Sequence, residues 1–244
     1  MKKLFTLLAL TITFSMNAQL TAVTEGGNTG QRLSTSNASN HGDIGSNAVD
    51  LSYSNSSSST RGATGNYSVA MGWQTTASAE ASTAMGYSTT ASAESSTAMG
   101  KGTTASGNYS TAIGNYTTAS GWYSTAMGRS TTASGEYSTA MGYQTTAITD
   151  YCTAMGRETT ATGDTSTAMG RSTTASGWFS TAMGGYTTAS GQNSTAMGFN
   201  TTASDYSSTV IGQYNSSGSS ATSAGGFSTS NTAFVIGNGT ASNA

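Results

Sequence analysis

The sequence predicts an all-β fold: a flattened, parallel β-roll (a solenoid) of 14-residue coils with two short strands in each coil. Residues 67–220 repeat one 14-residue unit eleven times without insertion. Each unit reads as STAMG, two variable residues, TTASG and two more variable residues, which is the rhythm of strand, turn, strand, turn. Charged residues make up only 7% of the chain and Pro is absent. Leu, Ile, Val and Phe together make only 24 of the 244 residues, too few to fill one large apolar core, so order must come from regular backbone pairing and small side chains.

Strands explain this period better than helices do. Seven residues is also the coiled-coil period, but Gly recurs every seven residues through much of the repeat. Each such Gly would cost about 1 kcal/mol relative to Ala in a helix. Thr favours strands, because its branched side chain suits a pleated surface. Disorder does not explain so regular a repeat.

Alternation along the strands predicts which side chains point inward. Within STAMG, Ala126 and Met127 point to opposite faces. Within TTASG, Ala133 shares its face with Thr131, and Ser134 lies opposite. We expect the two Ala-bearing faces to meet in a thin interior, with successive coils paired as parallel strands about 4.8 Å apart.

A column of Met is predicted on one outer face. An interior of Ala and Ser buries too little apolar area, at about 25 cal/mol per Å², to offset chain entropy of about 1–2 kcal/mol per residue. An exposed Met column would also form an oversized apolar patch. Both problems are resolved if identical chains pack through this face, most simply in a ring. The residues expected at this interface are Met71, Met85, Met99, Ile113, Met127, Met141, Met155, Met169, Met183, Met197 and Ile211.

The repeat closely resembles a known one. Units such as YSVAMGWQTTASAE (67–80) and YSTAIGNYTTASGW (109–122) resemble the YadA-like head repeat of trimeric autotransporter adhesins. The resemblance implies a left-handed parallel β-roll, an obligate homotrimer with the apolar column at its centre, and attachment to surfaces. Thr and Met replace most of that family's Val and Ile here. FVIGNG (234–239) is similar to the segment that closes such a head.

Four segments are expected along the chain. Residues 1–18 read as a signal peptide, since Lys2 and Lys3 precede an apolar run over 4–14. Residues 19–66 form a Ser/Asn/Gly-rich lead-in with an imperfect coil, 67–220 the head repeats, and 221–244 an irregular closing segment truncated before a further domain. We therefore expect an exported protein at the cell surface or outside the cell, in the bacterial outer membrane if an anchor follows. The chain itself is expected to insert into no membrane.

The variable residues are expected in the two turns of each coil, where they carry most of the aromatic and charged side chains and form two columns. We call the first the strand-end column and take Trp73, Tyr87, Arg129, Tyr143, Arg157, Arg171 and Phe199 as candidate ligand-binding residues, because aromatic and Arg side chains are favoured binding anchors. The same column includes Lys101 and Asn115. The second, the Tyr column, comprises Tyr109, Tyr123, Tyr137, Tyr151 and Phe179. Either column could instead be an aromatic ladder that seals the edge of the roll.

Several function classes find no support in the sequence. The 8 Lys and Arg residues are scattered, unlike the basic stripe of a nucleic-acid-binding protein. His41 is the single His, so no catalytic Ser–His–Asp arrangement is predicted. Cys152 replaces a Ser of the repeat and is read as a small-residue substitution. The acidic residues fall about one per coil, too sparse for a calcium-binding roll. We expect no enzyme, no metal and no cofactor.

Three functions remain open from the sequence. The first is an adhesin head that binds a host or environmental surface protein or glycan. The second is a passive structural or tail-fibre-like spacer. The third is an ice-binding protein that uses the Thr/Ser face, although Ile148 interrupts that face.

Overall fold

The computed structural model describes residues 20–215 and 223–239. The expected signal peptide at 1–18 lies outside the described residues. Contacts divide the chain into two compact units, Met1–Gly102 and Thr103–Ala244. Apart from one 3-10 turn at Ala38–Asn40, the regular elements of the described residues are β-strands.

The first unit begins with a hairpin and continues as a parallel roll. Its strands are β1 (Leu20–Glu25), β2 (Asn28–Leu33), β3 (Val49–Tyr53), β4 (Gly62–Ala63), β5 (Val69–Trp73), β6 (Thr76–Ala77), β7 (Thr83–Tyr87), β8 (Thr90–Ala91) and β9 (Thr97–Lys101). β1 and β2 pair antiparallel, β2 pairs in parallel with β3, and β3, β5, β7 and β9 follow in one parallel sheet. β4, β6 and β8 form the second layer.

The second unit repeats the same two layers. Its five-residue strands are β11 (Thr111–Asn115), β13 (Thr125–Arg129), β15 (Thr139–Tyr143), β17 (Thr153–Arg157), β19 (Thr167–Arg171), β21 (Thr181–Gly185), β23 (Thr195–Phe199), β25 (Thr209–Gln213) and β26 (Phe234–Asn238). Its two-residue strands are β10 (Thr104–Ala105), β12 (Thr118–Ala119), β14 (Thr132–Ala133), β16 (Thr146–Ala147), β18 (Thr160–Ala161), β20 (Thr174–Ala175), β22 (Thr188–Ala189) and β24 (Thr202–Ala203).

Within each unit, successive coils of the repeat pair at a shift of one repeat. Met127 lies opposite Met141, and Ala133 lies opposite Ala147. The predicted all-β parallel solenoid of 14-residue coils with two strands per coil is therefore confirmed. The two strands are unequal, however. The long strand begins at Thr125 and includes the first variable residue, Arg129, whereas the TTASG half contributes only a two-residue strand.

The interior is as thin as the alternation predicts. Ala126 and Ala133 are fully buried, together with Ser124 and Thr131, while Thr125 and Met127 on the opposite side of the long strand remain half-buried. Ser138 Oγ donates a hydrogen bond of 2.7 Å to the Gly135 carbonyl. Small side chains and local hydroxyl bonds thus fill the space between the layers.

Gly is required where the long strand leaves the interior. Gly128 has a φ of +124°, and a Cβ there would lie 2.0 Å from the Gly142 carbonyl oxygen. Such a contact is far inside van der Waals distance, and L side chains rarely adopt this φ. The invariant Gly of STAMG therefore permits both the backbone bend and the close stacking of coils.

Both turns of a coil contain a residue in the left-handed region that is usually not Gly. Tyr123 has a φ of 56° and Ser130 a φ of 55°. The backbone ladder continues through these turns, since Tyr137 N–H donates to the Trp122 carbonyl at 2.8 Å and Ser130 N–H to Asn115 at 2.8 Å. These ladder bonds offset the cost of the unfavourable φ, which is of order 1–3 kcal/mol per residue.

Candidate functional site

The Met column lies on the outward side of the long strands in both units. Met71, Met155 and Met197 are 41%, 36% and 37% exposed, and the other eight predicted residues are half-buried. Two further apolar residues join this column. Leu51 pairs with Met71, and Ile236 pairs with Ile211. Sequence reasoning missed both because their spacing from the repeat is not 14 residues.

The strand-end column occupies the last position of the long strands, rather than a turn. In the first unit, the Trp73 ring lies 5.1 Å from Tyr53 and stacks at 6.4 Å on Tyr87. Lys101 Nζ lies 5.7 Å from the centre of the Tyr87 ring. Tyr87 nevertheless remains 49% exposed.

In the second unit, this column combines cations with aromatic rings. Arg129 and Arg157 both lie against Tyr143, at 5.5 and 5.8 Å from the ring centre. Arg171 lies directly beside Arg157 in the ladder and 5.3 Å from the Tyr186 ring. Such cation–π contacts hold long side chains in place at an exposed edge.

One carboxylate accompanies these cations. Glu158 pairs with Arg157 at 3.1 Å, with both side chains largely exposed. The pKa of Glu158 lies below its ordinary value, mainly because of a hydrogen bond from Ser172 and secondly because of one from Arg157. The strand-end column of the second unit therefore keeps a net positive charge, since it also contains Arg129 and Arg171.

Four of the five members of the Tyr column, all but Phe179, form an ordered stack. Tyr109, Tyr123, Tyr137 and Tyr151 follow one another with centroid distances of 4.9, 4.9 and 5.2 Å and near-parallel planes. Desolvation in this stack, and then the Glu136 carboxylate, raise the pKa of Tyr137 above its ordinary value. The rings are still more than 40% exposed. This column thus covers the edge of the roll and also presents a ribbon of phenol hydroxyls.

A buried charged cluster near the N-terminus was not foreseen from the sequence. Arg32 contacts Glu25 at 2.7 Å and Asp50 at 3.3 Å, and His41 Nδ1 lies 3.1 Å from Asp50. Ser52 Oγ donates to Asp50 at 2.6 Å. Burial raises the pKa of Asp50, but hydrogen bonds from His41 and Ser52 outweigh it, so the pKa is lowered overall.

The geometry of this cluster is structural rather than catalytic. Ser52 and Asp50 both approach the same nitrogen, Nδ1 of His41, at 3.3 and 3.1 Å. A Ser–His–Asp relay needs the hydroxyl and the carboxylate on opposite ring nitrogens. Ser52 and Asp50 are also buried, at 1% and 0% exposure. The cluster instead joins β2 and β3, where the hairpin meets the first coil.

Cys152 lies where the repeat has Ser. Its Sγ donates to the Thr149 carbonyl at 2.8 Å, as Ser138 Oγ does to Gly135 one coil earlier. Burial raises the pKa of the thiol, so the nucleophilic thiolate is disfavoured.

Two further features, the Thr/Ser face and the acidic residues, complete the description of the surface. Ile148 is 47% exposed on the Thr/Ser face that an ice-binding surface would need to keep flat and polar. In the part of the chain that the structure describes, no three His, Cys, Asp or Glu residues lie close enough together to hold a metal ion.

The comparisons with known proteins agree with the repeat. A family model described as "YadA head domain repeat (2 copies)" matches residues 63–89, 91–117, 119–145, 150–172, 161–187 and 189–215. No curated protein matches the chain. Among the described residues there is no helix of the length and apolar character needed to cross a membrane.

Proposed function

We propose that this chain, which belongs to the YadA head domain repeat family, forms the adhesive head of a surface-exposed protein. Such heads act by presenting an ordered surface to a ligand, without chemistry. The protein is exported through its N-terminal segment, 1–18, to the cell surface or the extracellular space. Its ligand is a host or environmental surface protein or glycan.

The head is a homotrimer in this proposal. The outward Met residues, exposed by up to 41% in the single chain, supply the apolar area that the Ala-filled interior lacks. Packing three Met faces around one axis would cover this column along the repeats of each chain. The number three is an expectation taken from the family.

The observation that carries the adhesive role is the strand-end column. Its Arg side chains, Tyr87 and Phe199 are exposed, whereas Trp73 and Tyr143 are half-buried. The scaffold does not require any of these side chains, because Asn115 and Gly185 occupy equivalent strand positions. Tyr87 and Phe199 are 49% and 43% exposed. Trp73, Tyr143, Arg129, Arg157 and Arg171 complete the proposed ligand-binding edge. Repetition along the roll and in three chains would let weak contacts add up by avidity.

The test replaces Tyr87, Arg129, Tyr143 and Arg171 together by Ser. We expect adhesion of protein-coated beads to surfaces carrying host matrix proteins or glycans to fall, while the melting temperature of the trimer barely moves. A control variant carries Ser at Thr118, Thr132 and Thr160, whose side chains lie on the outer face of the short strands. Its adhesion should equal that of the unchanged protein.

A passive spacer is the second candidate. It is favoured by the ring stacking and cation–π contacts within the columns, which give these side chains a structural role. Unchanged adhesion with a lowered melting temperature in the quadruple variant would support the spacer and reject the adhesive edge.

A further inference from the structure

Trp122 and Trp178 are exposed aromatic side chains that the stacking of the roll leaves unexplained. They are 57% and 61% exposed. Both precede a left-handed turn residue, Tyr123 and Phe179 respectively, in coils four repeats apart. Trp73, by contrast, is held between other rings. Neither Trp122 nor Trp178 makes a ring contact within the described residues, so sealing the edge does not account for them.

Each of these indoles borders a groove, and the two grooves are built from equivalent residues. The groove at Trp122 has a volume of about 390 Å³ and is lined by Ser120, Gly121, Ser134 and Glu136. The groove at Trp178 has a volume of about 330 Å³ and is lined by the corresponding Ser176, Gly177, Ser190 and Gln192, with Ala224 and Gly225. Both volumes fall within the range of small-ligand sites, about 300–1,000 Å³.

The lining of the grooves specifies the ligand class. A flat indole face suits an apolar patch of C–H groups, and the hydroxyls of Ser, with the oxygens of Glu136 or the amide of Gln192, suit a ligand rich in hydroxyl groups. A pyranose ring offers this combination. Gly121 and Gly177 also line the grooves, and a Cβ at either position would collide with the carbonyl of the next coil, at Gly135 and Gly191 respectively.

The charges near the grooves further restrict the class of ligand. The three cations of the second unit, Arg129, Arg157 and Arg171, end long strands, at the other type of turn. The turn that bears the indoles carries carboxylates in neighbouring coils, at Glu136, Asp150 and Asp164. Such an edge repels sulfated or carboxylated polymers and favours uncharged ones.

We propose that Trp122 and Trp178 form two equivalent subsites for a neutral glycan, with each indole as the platform for one sugar ring. Four coils at about 4.8 Å each separate the subsites by about 19 Å. One polysaccharide chain running along the roll can occupy both, which strengthens binding by avidity. This edge differs from the strand-end column, and the inference depends on the proposed function only for the role of the head as a surface-binding module.

The experiment is calorimetric titration of the protein comprising residues 19–244 with soluble neutral oligosaccharides of glucan, mannan and galactan, and with heparin as the anionic comparison. We expect saturable binding to at least one neutral oligosaccharide and none to heparin at this site. Trp122→Ala with Trp178→Ala should weaken the neutral binding by at least about tenfold. The paired Trp→Phe variant should retain part of it, and Asn108→Ala, at the same turn position without an indole, should retain all of it.

Three outcomes would overturn the proposal. One is the absence of binding to every neutral oligosaccharide, and another is neutral binding that the double Ala variant leaves unchanged. The third is a lowered melting temperature of the assembly in that variant with no change in binding, which would make the indoles subunit contacts. Loss of adhesion in the quadruple strand-end variant, with any of these results, would leave the adhesive head standing and reject only the glycan subsites.

Discussion

Small side chains determine how closely successive coils approach. The interior has room for Ala, Ser and Thr, and Gly128 lets the strand turn where a Cβ would collide with the next coil. The buried hydroxyl groups differ in whether they have a hydrogen-bond partner. Ser138 Oγ bonds to a carbonyl, whereas Thr131 Oγ1 has no hydrogen-bond partner among the described residues. An unpaired buried hydroxyl costs stability that a methyl group of the same shape does not.

Thr131→Val is therefore expected to stabilise the protein. The substitution replaces an unpaired hydroxyl by a methyl group and should raise the free energy of unfolding by about 1 kcal/mol per chain. Ser138→Ala is the matched variant and should lower it by a similar amount, because it removes the bond to Gly135. Thermal unfolding of both variants checks the pair. Shifts of the melting temperature in the same direction would contradict this assignment.

Cys152 is expected to be inert in the folded protein. Its thiol is buried, and burial raises its pKa, so little thiolate is present at neutral pH. An aromatic disulfide reagent should label it slowly in buffer and completely in guanidinium chloride. Rapid labelling of the folded protein would show that the coil at 149–152 opens readily.

At the scale of elements, a hairpin covers the N-terminal end of the roll. β3 is the first five-residue strand of the roll, and the hairpin of β1 and β2 covers its free edge. The cluster of Glu25, Arg32, Asp50 and His41 lies at this junction with every carboxylate paired. An uncovered edge strand would invite pairing with other chains, so the hairpin protects the roll from aggregation.

The junction should be sensitive to acid. Because the pKa of Asp50 is lowered in the folded state, its contribution to stability is fully present above the ordinary Asp pKa. That contribution is lost as the pH falls through the lowered folded value. Asp50→Asn should remove this pH dependence and destabilise the hairpin by about 3–5 kcal/mol, the cost of breaking a buried ion pair.

Hydrogen exchange at the amides of β2 and β3 measures this effect directly. The control is Glu158→Gln, which removes an exposed ion pair that water screens, so no change in exchange is expected there. Equal exchange in Asp50→Asn and in the unchanged protein between pH 3 and neutral pH would contradict a stabilising role for the cluster.

The sequence predicted the repeated coils well and the ends of the roll poorly. Inside the repeat, alternation assigns Ala126 and Ala133 inward and Met127 outward, and each assignment is confirmed because one register applies to every coil. The hairpin was missed because no repeat marks its strands, although its pairing is local and Gly26-Gly27 supplies a two-residue turn signal between them. The grooves beside Trp122 and Trp178 were missed because they arise from side chains in adjacent coils, which a single repeat unit does not display.

At the scale of the whole molecule, the outward Met residues are the feature that a single chain leaves unsatisfied. They share the outward side of the long strands of the repeat with a half-buried Thr, or Val69 in β5, and no described element covers them. The Ser/Thr side of the short strands is polar and can face water. The proposed assembly through the Met face follows from this difference between the two outer faces, and the number three is taken from the family.

Met141→Asp and Met155→Asp should each prevent assembly. Either substitution places a charge at the subunit seam without a partner, at a cost of several kcal/mol, and threefold symmetry would bring three such charges together. Ser134→Asp, on the exposed side of the short strands, should be nearly neutral. Size-exclusion chromatography and thermal melting compare the variants. If the Met and Ser variants behave alike, the assignment of faces is wrong.

The central claim is that the Met face is the seam of a homotrimer, and sedimentation equilibrium of residues 19–244 tests it most directly. At low micromolar concentration we predict a single folded species with three times the mass of one chain. Dilution should yield unfolded chains rather than folded monomers, because the Ala-filled interior alone buries too little apolar area. A compact, folded monomer at the same concentration would contradict the account.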